Sequence, residues 1–83
     1  MYLFLGGDRA VPEETVIGVF DLENSSTGKD TRAFLARAQK AGSVVNVAED
    51  LPKSFAVTAG GGEQRVYILQ VASATLKKRG RSL

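Results

Sequence analysis

Several groups of side chains in this 83-residue chain have the residue types that chemistry uses. The stretch Ser26-Thr27-Gly28-Lys29-Asp30 looks like the close of a phosphate-binding loop. That loop requires a glycine five residues before Gly28, where Glu23 stands, and a Ser or Thr after the lysine, where Asp30 stands. Gly60-Gly61-Gly62 lacks the spacing of a dinucleotide fingerprint, and no acidic ribose contact follows it. Glu13-Glu14 and Glu49-Asp50 are carboxylate pairs of the kind that can share acid and base roles. At loop edges such pairs are ordinary solubilising charge. The chain contains neither histidine nor cysteine, so the commonest general base, the most nucleophilic side chain and any Cys/His metal site are missing. Neither an enzyme nor a cofactor is expected, and no small-molecule substrate is evident.

Cations are the remaining chemistry. Residues 1–50 hold five basic and eight acidic side chains, a balance of −3, whereas residues 51–83 hold six basic and one acidic, a balance of +5. A lopsided charge distribution is the electrostatic footprint of a protein that meets a polyanion. Lys53, Arg65, Lys77, Lys78 and Arg79 are the candidate contacts. Lys77, Lys78 and Arg79 also suit the last turn of a helix, where cations complement the dipole. The aromatic residues do not interleave with these charges as stacking platforms would. Duplex contact through phosphates is therefore favoured over base stacking.

Punctuation divides the chain into elements that would position these groups. "YLFL" reads as a short strand stopped by Gly6-Gly7-Asp8. Thr15–Glu23, "TVIGVFDLE", reads as a second strand whose near-continuous apolar run implies burial on both faces. Val16, Val19 and Phe20 are its candidate oligomer contacts, and Pro12 sits ahead of it. "KDTRAFLARAQKAG" is the convincing helix, with a capping-box-like start at Thr27 and Asp30 and a stop at Gly42. Thr31, Phe34, Leu35, Ala38 and Ala41 share one face of its wheel, and Lys29, Arg32, Arg37 and Lys40 spread over the rest.

Three strands follow, "SVVNVAED", "LPKSFAVTA" and "QRVYILQVA", the last two joined by a glycine hairpin. "SATLKKRG" reads as a short helix with Ser73 as N-cap and Gly80 at the C′ position. The order β-β-α-β-β-β-α describes one α+β domain over residues 1–83. It has a largely antiparallel sheet, a central helix, a short C-terminal helix and a tail from residue 80. No segment has the flanks of a signal peptide or the length of a membrane span, so a cytoplasmic location is expected.

"MYLFLGGD", "VIGVFDLE", "LPKSFAVT" and "SATLKKR", in this order and spacing, closely resemble the RemA/RemB family of small bacterial extracellular matrix regulators. The resemblance runs from Met1 to about Arg79. It implies a regulator of biofilm matrix genes with a fold akin to LytTR-type DNA-binding domains. It also implies subunits assembled as a closed homo-oligomeric ring around which DNA can wrap. The RemA branch has consecutive arginines ahead of the strand matching "FAVT" and another arginine ahead of the strand matching "VIGVF". This chain has Leu51-Pro52-Lys53-Ser54 and Glu14-Thr15 at those places, so Lys53 alone supplies a cation there. Two functions follow as expectations. One is a DNA-binding transcriptional regulator acting as a ring, and the other an oligomeric interaction or scaffold protein without direct DNA contact.

Overall fold

A computed structural model describes residues 1–6, 9–22 and 28–79. Strand β1 (Tyr2–Gly6) pairs antiparallel with β2 (Arg9–Pro12), Leu3 opposite Val11 and Phe4 opposite Ala10. The residue pattern gave no sign of β2. With only Val11 buried among its four residues, it is too short for an alternation to show. Pro12 therefore ends a strand rather than merely preceding one. Gly7 and Asp8 of the expected turn lie outside the described residues.

A 3₁₀ turn (Glu13–Thr15) carries the chain into β3 (Val16–Asp21). Helix α1 (Lys29–Lys40) follows, then β4 (Val44–Asn46), β5 (Ser54–Gly60), β6 (Glu63–Leu69) and helix α2 (Ser73–Arg79). The last four strands form one sheet in the order β3-β5-β6-β4. β3 and β6 both run antiparallel to β5, and β4 joins parallel to β6. This is the expected small α+β fold, with a sheet antiparallel except at one edge.

Alternation along β5 and β6 separates two cores. Ala56, Tyr67 and Leu69 face the β1–β2 hairpin and α2, packing with Leu3, Leu5, Val11, Val19 and Leu76. Phe55, Val57 and Val66 face α1 and meet Phe34, Leu35 and Ala38. Hairpin and α2 thus lie on one side of the sheet and α1 on the other. The second side is thinly covered, since no residue of α1 is fully buried.

Glycine placement explains two of the turns. Gly61 and Gly62 take φ of +61° and +81° between the paired Gly60 and Glu63. Positive φ at both central residues gives a tight hairpin whose twist matches the strands. Gly42, at φ +75°, ends α1 as expected. Its N–H bonds the Gln39 carbonyl at 3.1 Å, and the Ser43 N–H reaches back to Ala38 at 2.9 Å, the paired closure of a Schellman end.

The helix starts differ from expectation. Gly28, extended at φ −71° and ψ 137°, is the N-cap of α1 and makes no side-chain cap bond; Thr27 lies outside the described residues. In α2 the Ala72 carbonyl accepts from Thr75 and Leu76. Ser73 is consequently the first helical residue rather than the cap, and Gly80 falls outside the described residues.

Candidate nucleic-acid interface and exposed apolar edge

The five candidate cations fall into different environments. Lys53 precedes β5, and its backbone is held on both sides: its N–H bonds the Leu69 carbonyl at 2.8 Å, and its carbonyl accepts from Leu22 at 3.0 Å. The side chain is exposed. One residue on, the buried Ser54 hydroxyl donates to the Val71 carbonyl at 2.7 Å. That bond places the Lys53 loop at the end of the sheet where the chain enters α2.

Within α2, Leu76 is completely buried and fixes the helix rotation. Lys78 falls about 160° around the wheel from it and Lys77 about 100°; both are exposed. Among the described residues no acidic side chain lies within ion-pair distance of Lys53, Lys77 or Lys78.

The two arginines are already engaged. Arg65 stands opposite Thr58, four strand residues and about 13 Å from the Leu69 end where Lys53 sits. Its Nη2 donates to Glu63 Oε2 at 2.9 Å. Glu63 first, then Tyr67, holds its pKa above the usual arginine value. Arg79 lies over the ring of Phe4, 5.7 Å from the centroid, and its Nη1 donates to the Phe4 carbonyl at 3.1 Å. Its guanidinium ties α2 to the first strand. Among the described residues three lysines of the five are thus without an acidic partner, and Arg65 stands apart from Lys53.

The expected oligomer contacts divide in the same way. Val19 is 8 % exposed and belongs to the core beneath the hairpin, with Val16 packed against that cluster. Both face that core because the register shift between Val16 and Gly18 offsets the alternation by one residue; Val16 is half-buried, and of the three Phe20 is the exposed one.

The expectation that β3 is buried on both faces does not hold within one chain. β3 is an edge strand, and its far face carries Ile17 at 62 % and Phe20 at 41 % exposure. Ile17 went unnoticed in the sequence because the register shift between Val16 and Gly18 is a bulge that residue pattern does not reveal. Together with Phe34, Phe55 and Val57, these two residues line a groove of about 340 Å³ between β3 and α1.

The carboxylate pairs form no common site. Glu14 is exposed beside the hairpin, while Glu13 is buried with its backbone N–H on the Met1 carbonyl. Glu49 and Asp50 lie on an exposed loop, where the Glu49 N–H meets Gln70 Oε1 at 3.2 Å.

These features define a small α+β domain that exposes three lysines without an acidic partner among the described residues and an apolar edge strand. No family model matches the chain. It is 33% identical over 79 residues to extracellular matrix regulatory protein B of Bacillus subtilis (strain 168), an alignment that covers 95% of this chain and 89% of that protein. The chain belongs to the family of that protein. No helix among the described residues is long and apolar enough to cross a membrane.

Proposed function

We propose that this chain regulates the expression of extracellular matrix genes by contacting duplex DNA as a homo-oligomeric ring inside the cell. The matrix role follows from the name of its relative. DNA contact is supported by one observation above the others: Lys53, Lys77 and Lys78 are exposed cations without an acidic partner among the described residues. Ammonium groups of this kind act as point charges on phosphates and carry little base specificity. Three per protomer bind weakly, and a ring that repeats them gains avidity without any new type of contact. Assembly is supported by the exposed Ile17 and Phe20 on an open sheet edge, a surface that monomeric proteins usually blunt or cover.

A second reading, an oligomeric scaffold that acts through protein partners, draws on the engagement of Arg65 and Arg79, which reduces the free cationic set. A duplex-binding titration at two salt concentrations separates the two. For the first reading, affinity falls steeply with salt. Replacing the three lysines with glutamine then flattens the slope by about 0.9 for each phosphate left unneutralised. A parent chain that binds no duplex at low salt establishes the second.

A further inference from the structure

Helix α1 carries Lys29, Arg32, Arg37 and Lys40 against a single acid, Asp30. All four cations are exposed, and among the described residues none is in an ion pair. At 3.6 residues per turn, the line opposite the Phe34–Leu35–Ala38 stripe runs Lys29, Ala33, Ala36, Lys40, with Arg32 and Arg37 flanking it. Two alanines therefore sit at the centre of a strip framed by positive charge. The strip spans about 16 Å from Lys29 to Lys40, the axial reach of roughly five phosphates on one strand of a duplex.

A merely solvated helix face does not account for this arrangement. Lys29 and Arg32 sit in the first turn, where the dipole disfavours cations. Lys29–Arg32 and Arg37–Lys40 are like-charge pairs three residues apart, and no acid stands four residues from any of the four. Arg37 and Lys40 suit the dipole at the last turn, but the two first-turn cations and both like-charge pairs oppose helix stability and call for an external counter-charge.

We infer that the outward face of α1 is a contact surface for the phosphate backbone of duplex nucleic acid, in addition to Lys53, Lys77 and Lys78. It extends the DNA-binding reading and rests on it. The apolar stripe of α1 is turned to the sheet, so the outward face has nothing to insert into a lipid interface. The small central alanines allow a rigid polyanion to approach the helix backbone closely. Because α1 and α2 pack on opposite sides of the sheet, this surface is separate from Lys77 and Lys78.

Two variants of the full chain test it, beside the parent and the Lys53, Lys77 and Lys78 glutamine variant. The first replaces Lys29, Arg32, Arg37 and Lys40 with glutamine, which keeps helix propensity. The second, Ala36→Trp, leaves charge unchanged and raises a bulky side chain in the middle of the strip. Titration against a short fluorescent duplex at two salt concentrations is expected to show at least tenfold weaker low-salt binding by the first. Its salt slope should be shallower by about 0.9 for each phosphate it no longer neutralises. The second should bind several-fold more weakly.

If both α1 variants bind as the parent does while the lysine variant fails, this inference falls and the DNA-binding reading stands. If the α1 variants fail and the lysine variant binds normally, the inference stands and the lysines do not touch the duplex. Failure of the quadruple variant with normal binding by Ala36→Trp is a bulk charge effect and overturns the inference. A parent that ignores duplex, or that sediments only with anionic phospholipid vesicles, overturns both.

Discussion

The rings of Phe20 and Phe55 stack at 5.1 Å between centroids with 22° between their planes, joining the edge strand β3 to its neighbour β5. Phe55 is buried and Phe20 is partly exposed. The Phe20 ring also lies back over Gly18, where an added Cβ would stand 2.8 Å from the ring Cζ. Gly18 lies outside the positive-φ glycines, so alanine fits the backbone and only the ring must move.

Gly18→Ala should therefore cost about as much as the stack contributes, about 0.5–1.5 kcal/mol, and lower the melting temperature by several degrees in a domain of this size. In a Phe20→Ala background the same substitution should be neutral or slightly stabilising. Thermal unfolding of the four species checks the coupling. Equal destabilisation in both backgrounds would show that the ring does not obstruct the site.

Ile17 and Val19 lie two residues apart on β3 but separate fold from assembly. Val19→Glu places a charge in the core beside Leu3 and Leu76 and should unfold the chain. Ile17→Glu alters an exposed side chain and should leave the circular dichroism melt within about 0.5 kcal/mol of the parent while reducing the mass seen by light scattering. An Ile17→Glu variant that keeps its oligomer removes this face of β3 from the interface.

Arg79 and its lysine neighbours should part in the same manner. Arg79→Ala removes a cation–π interaction and a hydrogen bond to Phe4, together about 1–2 kcal/mol of stability. Lysine at this position recovers little, because it lacks the planar fork. Lys77→Gln with Lys78→Gln should leave stability nearly unchanged and weaken duplex binding at every sequence alike. Urea unfolding beside a binding titration reads both quantities. A stable Arg79→Ala chain that no longer binds would assign that guanidinium to DNA instead.

Leu76 is the anchor of α2, fully buried against the hairpin and β3. Leu76→Ala should cost about 2–5 kcal/mol, a large share of what a small domain possesses. The expected readout is a much lower urea midpoint with a similar slope. A shift under about 1 kcal/mol would mean that α2 is only loosely docked.

Pattern and punctuation were enough to read the long strands, the glycine hairpin and the body of α1, since their signals are local. Two strands failed the same test in opposite directions. β2 is too short to show a period, and β3 is apolar on both sides although one side is open to solvent. Periodicity reports chemical character and does not say which neighbour supplies the cover. The fate of the cations was equally hidden. Glu63 is two residues from Arg65 and visible in sequence, but Phe4 lies 75 residues from Arg79. The basic face of α1 was legible from its wheel, although seven acids outside the helix give the first fifty residues a negative balance.

The closure of α2 onto β1 also constrains when the domain can exist. Leu3 and Leu5 are synthesised well before Leu76, with which they share a core, and Phe4 waits for Arg79. A core that joins the first strand to the last helix cannot form while that helix is still inside the ribosome. Folding of the domain therefore follows emergence of α2 rather than accompanying synthesis of the sheet. A product truncated before residue 76 lacks the side chain that seals the core, along with Lys77 and Lys78, and cannot complete the fold.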